Sequence, residues 1–283
     1  MGSGMDNRSS NGETRNMALF CDFENIALGA QDAKYDKFDI SKILEKLLVK
    51  GNIVVKKAYC DWERYKTHKA AMHEAAFELI EIPHVRQSGK NSADIRLVVD
   101  ALDLCYTKAH LDTFVIISGD SDFSPLVSKL RENNKEVIGV GVKQSTSDLL
   151  ISNCDEFIFY DDLVREDKTA KRGRRRTAPS SGTAKAAAPK QAPAEGEDKT
   201  QQALDLVVDT FDALVAERGE GDKIWGSMIK QALKRRKPGF NESYYGFKSF
   251  SSLLDEAHSR GLLDLEHDDK SGGYVVRAAR AEA

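Results

Sequence analysis

The chain has 283 residues, 41% of them hydrophobic and 31% charged, and a formal net charge of −3. It is long enough for two domains, and its proportions are those of a soluble protein. The mean charge gives no global nucleic-acid signal, although it conceals opposite local balances. No apolar run approaches the roughly 20 residues that cross a bilayer, so no membrane partner is expected.

The polar start, residues 1–16, lacks the apolar core of a signal peptide and reads as a disordered N-terminus. Cys21, Cys60, Cys105 and Cys154 are far apart, in apolar contexts and without a CxxC pair. They read as buried, reduced thiols of a cytoplasmic protein rather than zinc ligands or disulfides.

From Met17 to Tyr160 strand and helix patterns alternate. Ala18–Asp22, Ile53–Tyr59, Phe114–Ser118, Val137–Val142 and Phe157–Tyr160 are short, apolar and rich in β-branched or aromatic residues, as strands are. Ile40–Val49, Tyr65–Leu79, Ser92–Tyr106, Phe123–Arg131 and Thr146–Ile151 have helical spacing. The alternation predicts an α/β domain over 17–164, a mostly parallel sheet flanked by helices.

Over 165–199 apolar periodicity gives way to Ala, Pro, Gly, Ser, Thr and Lys, the composition of a flexible linker. Its basic run, Lys171-Arg172-Gly173-Arg174-Arg175-Arg176, is either a solvated tether or a partner for phosphates. Order resumes over 200–278. Helical patterns at Gln202–Val215, Ile224–Leu233 and Phe250–Arg260 precede two short strands around Gly272-Gly273, which predicts a small α+β winged-helix domain.

Acidic residues gather at strand and helix ends of the first domain. Asp22 follows the first strand, Asp94 opens the third helix, and Asp120 and Asp122 follow the central strand in Ser118-Gly119-Asp120-Ser121-Asp122. Alone, Asp22 is a plausible turn former and Asp94 a favourable partner of a helix dipole. Together they set like charges in the crevice where open α/β sheets bind ligands. Two carboxylates a few ångströms apart repel by roughly 4 kcal/mol at an effective dielectric near 20. Hard oxygen donors of this kind suit Mg²⁺ or Mn²⁺, and a carboxylate-held cation suits phosphodiester hydrolysis. The six histidines show no metal-ligand spacing, and no Ser-His or Cys-His nucleophile is apparent.

Asp22-Phe23-Glu24-Asn25, Gly89-Lys90-Asn91-Ser92-Ala93-Asp94 and Ser118-Gly119-Asp120-Ser121-Asp122-Phe123 resemble the motifs of NYN-domain proteins, the LabA-like branch of the PIN-like nucleases. The resemblance covers about Met17 to Tyr160. It implies a PIN-like, Rossmannoid fold and Mg²⁺- or Mn²⁺-dependent ribonuclease chemistry. Asp22, Asp94, Asp120 and Asp122 match the family's acids, Asn25 its asparagine, and Ser118 the small hydroxyl residue that supports the metal site. Lys90 is a candidate phosphate contact.

In the second domain, Lys234-Arg235-Arg236-Lys237 adjoins Phe240 to Phe250, a basic segment beside an aromatic turn. Tyr244, Tyr245 and Lys248 are the candidates for exposure there, whereas Phe247, Phe250, Leu253 and Leu254 are spaced as a core face. Tyr245-Gly246-Phe247-Lys248-Ser249-Phe250 resembles the OST-HTH, or LOTUS, signature. That resemblance implies binding of RNA, structured or guanine-rich, or recruitment of a protein partner. The competing reading is a non-catalytic RNA-binding or regulatory adaptor that retains an acidic pocket. A haloacid-dehalogenase-type phosphatase fits poorly, because Glu24 stands where its second aspartate is needed. A winged-helix transcription regulator would leave the acids of the first domain unexplained.

Overall fold

The computed structural model describes residues 15–35, 38–82, 92–165, 195–219, 222–268 and 273–279. The start of the chain up to residue 14, the basic run at 171–176 and Lys90 lie outside the described residues. The chain divides into two compact units, Met1–Asn153 and Cys154–Ala283.

A six-stranded sheet has the order β3-β2-β1-β4-β5-β6. Its strands are β1 (Arg15–Asp22), β2 (Gly51–Cys60), β3 (Glu78–Glu81), β4 (Thr113–Ile117), β5 (Glu136–Gly141) and β6 (Glu156–Phe159). β3, β2, β1, β4 and β5 pair in parallel. β1 and β4 are central, and Met17–Asp22 and Thr113–Ile117 are buried throughout. Strands covered on both faces read as unbroken apolar runs, which is why these two were evident in the sequence. Phe20 and Phe114 stack across them at 5.9 Å.

The helices are α1 (Phe23–Asp32), α2 (Ile40–Leu48), α3 (Lys66–Glu74), α4 (Ser92–Thr107), α5 (Ser124–Glu132), α6 (Asp148–Asn153) and α7 (160–165). The order 3-2-1-4-5-6 reverses direction between β1 and β4. The carboxyl ends of those two strands therefore open on the crevice at the topological switch point.

The structure departs from the sequence expectation at three places in this sheet. β1 begins at Arg15, two residues before the expected boundary. The Asn16 amide donates to Asp112 Oδ1 at 3.1 Å and Arg15 pairs with Glu136 at 2.8 Å, which extends the strand. α1 follows Asp22 with no intervening loop. The expected helix Tyr65–Leu79 ends at Glu74 instead. There the Phe77 amide donates to the Met72 carbonyl and the Ala76 amide to that of His73, a Schellman closure with Ala76 at φ 57°. Phe77 is then buried and Glu78–Glu81 joins the sheet as β3.

The described part of the second unit includes α8 (Glu195–Arg218), β7 (Ile224–Trp225), α9 (Gly226–Arg236), α10 (Phe250–Ser259), β8 (Leu263–Asp268) and β9 (Gly273–Ala278). β7, β8 and β9 form an antiparallel sheet, in the order β7-β9-β8. Three helices and a hairpin appear in the expected order, so this is a small α+β region. The expected helix from Ile224 starts with two strand residues, because Ile224 and Trp225 pair with Val276 and Val275. Ala203, Leu204, Val207 and Phe211 of α8 close the core with Ile229, Leu233, Leu253 and Leu254.

All four cysteines are free and buried. Among the described residues no helix is long and apolar enough to cross a membrane.

α4 is tied to β2 by a charged cluster. Asp100 accepts from Tyr59 Oη at 2.9 Å, Lys57 Nζ at 3.2 Å and Arg96 Nε at 3.1 Å. Burial and the Asp100 carboxylate push the Tyr59 hydroxyl up. Removing one member of a buried pair leaves the other charge uncompensated. Asp100→Ala is therefore expected to destabilise the protein by about 2 kcal/mol in urea unfolding at pH 7, somewhat below the fully buried range because Lys57 keeps Glu78 at 3.5 Å.

Candidate functional site

The site is built from the ends of β1 and β4 and the start of α4. Asp22 ends β1 as the N-cap of α1. Its Oδ1 accepts from the Asn25 amide at 3.4 Å, and its Oδ2 accepts from Ser118 Oγ at 3.0 Å. Ser118, fully buried, also accepts from the Asp120 amide at 3.2 Å. Asn25 Oδ1 accepts from the Gly119 amide at 2.8 Å, and Asp120 Oδ1 accepts from that of Asp122 at 2.9 Å. Asp22, Asn25, Ser118, Asp120 and Asp122 are thus one hydrogen-bonded unit bridging two strands.

Gly119 is required by close approach. A Cβ there would lie 2.5 Å from the Ser145 carbonyl oxygen, and the Ser147 amide donates to the Gly119 carbonyl at 2.9 Å. Gly29 of α1 meets the same loop, where a Cβ would stand 2.4 Å from Ser145 Oγ. The loop after β5 is therefore locked onto the turn that carries Asp120 and Asp122. Sequence reasoning missed this loop. The two glycines were its only signal, and glycines alone do not identify what packs on them.

The carboxylates differ in their surroundings. Asp22 is 7% exposed, Asp94 and Asp120 are half-buried, and Asp122 is exposed. An N-cap position and two donors favour the Asp22 anion. Burial nevertheless outweighs them and, with Asp94 and Asp120 adding repulsion, pushes its carboxyl up to about 7. Asp94, in the first turn of α4, is pushed up to about 6 by burial, then by the charges of Asp120, Asp122 and Glu24. The four expected acids are thus electrostatically one group. Glu24, unassigned from the sequence, joins them and pairs with Arg64 at 3.2 Å.

The donor set is all carboxylate, hydroxyl and amide oxygen, which fits a hard divalent cation in kind. In spacing it is open. Among the described residues no three His, Cys, Asp or Glu side chains stand together as a ready coordination group.

In the second unit the expected residues are spread over several surroundings. Arg235, Lys237 and Lys248 are exposed. Lys234 pairs with Glu156 at 3.2 Å, and Arg236 donates to the Asp209 carbonyl at 3.1 Å. Tyr244 lies beneath Lys199 Nζ at 5.3 Å and the Arg165 guanidinium at 5.5 Å. Tyr245 is half-buried, stacked 5.2 Å from Phe240 and packed against the core. Gly246, at φ 92°, makes the left-handed turn that separates this pair from Phe247 and Lys248.

A Rossmannoid sheet with clustered acids at its switch point defines a nuclease-like α/β protein of the PIN type. Residues 16–161 match the NYN domain family, and the chain belongs to it. The family has a nuclease-like fold and points to a nuclease-type hydrolase, and such nucleases generally depend on a divalent metal. An uncharacterized protein of Methanocaldococcus jannaschii is 29% identical over 163 residues, which cover 57% of this chain and 61% of that protein. The chain thus spans about three fifths of that relative's length. A crystal structure of a protein of unknown function from Vibrio parahaemolyticus is 26% identical, with a TM-score of 0.47, and the match covers 54% of this chain and 96% of that one.

The raised carboxyls have a direct consequence for stability. A carboxyl whose pKa is higher folded than unfolded contributes stability that is present below about pH 4 and lost as pH rises through the folded value. For Asp22 that window runs from its ordinary 3.8 to about 7. Asp22→Asn keeps an oxygen for Ser118 and removes the buried charge. In chelator, the variant is expected to melt about 2–4 °C above wild type at pH 8, roughly 1 kcal/mol, with the gap closing as pH falls towards about 4. An equal or lower melting temperature at pH 8 contradicts the assigned cost of the buried charge.

Proposed function

We propose that the protein is a metal-dependent ribonuclease that hydrolyses RNA phosphodiester bonds. The observation that carries this reading is the convergence of Asp22, Asp94, Asp120 and Asp122 at the β1/β4 switch point, where burial and mutual repulsion raise Asp22 and Asp94 towards neutral pH. These four carboxylates would hold Mg²⁺ or Mn²⁺, and such an ion supplies a water of lowered pKa and neutralises charge on the phosphate. Ser118 holds Asp22 in place, and Asn25 fixes the turn at Gly119 from which Asp120 and Asp122 project. Asp122, the most exposed of the four acids, would hold the ion from the solvent side.

The second unit is proposed as an OST-HTH, or LOTUS, RNA reader. The Tyr245-to-Phe250 signature supports this, as does the exposure of Arg235, Lys237 and Lys248 beside the Tyr244–Tyr245 pair. Lys234 and Arg236 are engaged within the protein and are assigned a smaller share of RNA contact. Covalent linkage of an RNA reader to the first unit would raise RNA occupancy at the acidic site. The second reading, a non-catalytic RNA-binding adaptor, is favoured by one observation: the acids do not stand as a ready coordination group.

With mixed RNA and DNA oligonucleotides, Mn²⁺ or Mg²⁺ is expected to support cleavage of RNA, and chelator to stop it. Asp120→Asn is expected to lower turnover at least about 100-fold with the fold intact and RNA affinity little changed. Wild-type rates in that variant contradict the assignment. RNA binding without metal-stimulated cleavage in wild type favours the adaptor. Deleting residues 200–283 is expected to weaken RNA binding about tenfold or more and to lower cleavage at limiting substrate. Unchanged affinity assigns the second unit to a protein partner instead.

A further inference from the structure

α4 carries an apolar stripe that its own domain does not bury. Ile95 is 62% exposed, Val99 55% and Tyr106 64%, and Leu102 is half-buried between them. The opposite face, Leu97, Ala101 and Cys105, is buried in the domain core. Positions 95, 99, 102 and 106 are spaced four, three and four apart, the repeat of a two-helix seam. At 100° per residue they fall within a strip about 60° wide, narrower than the face a helix turns to a globular core.

The charges beside the stripe select its occupant. Arg96 and Asp103 lie one heptad apart on the same flank, and the other flank has Val98 and Cys105. In an antiparallel pairing of two copies of α4, Ile95 meets Tyr106 of the second copy and Val99 meets its Leu102. The like-labelled flanks then face each other, so that Arg96 of each copy stands opposite Asp103 of the other. The two-fold axis repeats this ion pair. A parallel pairing would instead set both charges against Val98 and Cys105, without complement. Arg96 uses its Nε on Asp100, which leaves the direction of the guanidinium along this flank already set.

We propose that the protein self-associates through an isologous, antiparallel pairing of α4 from two copies. The pairing seats Tyr106 of the second copy beside Ile95, the neighbour of Asp94. The Asp94 residues of the two copies come to lie about 20 Å apart along the helix axis, at opposite ends of the seam. Each acidic site is thereby bordered by the other copy while remaining separate from its twin.

Sedimentation of the full chain from about 1 to 200 µM tests this. Wild type is expected to dimerise, and Val99→Glu, at the centre of the seam, to remain monomeric. Arg96→Glu and Asp103→Arg each create two like-charge contacts across the axis and are expected to weaken dimerisation at least about tenfold. Mixed in equal amounts, these two variants are expected to form a heterodimer of near wild-type affinity, since both contacts become opposite-charge pairs. That rescue also shows that each variant is folded. A monomeric wild type, undiminished dimerisation of the single variants, or variants that fail to rescue each other would each overturn the proposal.

Discussion

The acidic site of the first unit is organised around one buried carboxylate. Asp22 terminates a strand whose residues from Met17 onward are solvent-excluded, and it carries its charge into that environment with a single hydroxyl and a long amide contact as donors. Such a group is costly when ionised, and its neighbours make it more so. The surrounding architecture is arranged around that cost. Ser118 bonds both Asp22 and the Asp120 amide, Asn25 clamps the adjacent glycine, and the loop after β5 closes over the same turn.

The same constraint explains why the acids are spread over three elements. β1 and β4 are neighbours in space although about 90 residues separate their ends, because the sheet reverses its order between them. α4 packs behind β1 and β2 and is anchored by Asp100 to Lys57 and Tyr59 of β2. That anchor fixes the level at which Asp94 meets the strand ends. It also leaves the outer stripe of α4 turned away from the core, where a second copy can reach it.

Much of this was legible in the sequence, for physical reasons that can be named. β1, β4 and β5 announced themselves because strands buried on both faces must be apolar along their length. Asp22, Asp94, Asp120 and Asp122 were legible as a set because three motifs in the right order are harder to produce by chance than one acid at a helix start. What escaped were features set by tertiary closure. β3 is four residues of mixed polarity, and only the left-handed turn at Ala76 separates it from the preceding helix. The role of Gly119 depends on a carbonyl 26 residues away in the chain. Glu24 had no assigned role in the Asp22-to-Asn25 motif, and its share in the cluster emerges only when α1 and α4 are set at the same end of the sheet. In the second unit the order of helices and strands was legible. The internal engagement of Lys234 and Arg236 was not, since a basic run does not disclose its partners.

The central claim is the proposal that Asp22, Asp94, Asp120 and Asp122 act as one acidic cluster that takes up a divalent cation in exchange for protons. Calorimetric titration with Mn²⁺ in buffers of different ionisation heat measures this directly, because a cation that enters the cluster must displace the protons held there. With Asp22 and Asp94 raised to about 7 and about 6, binding at pH 6.5 is predicted to release close to one proton, and at pH 8.5 almost none. Absence of Mn²⁺ binding, or binding with the same proton count at both pH values, would contradict the account.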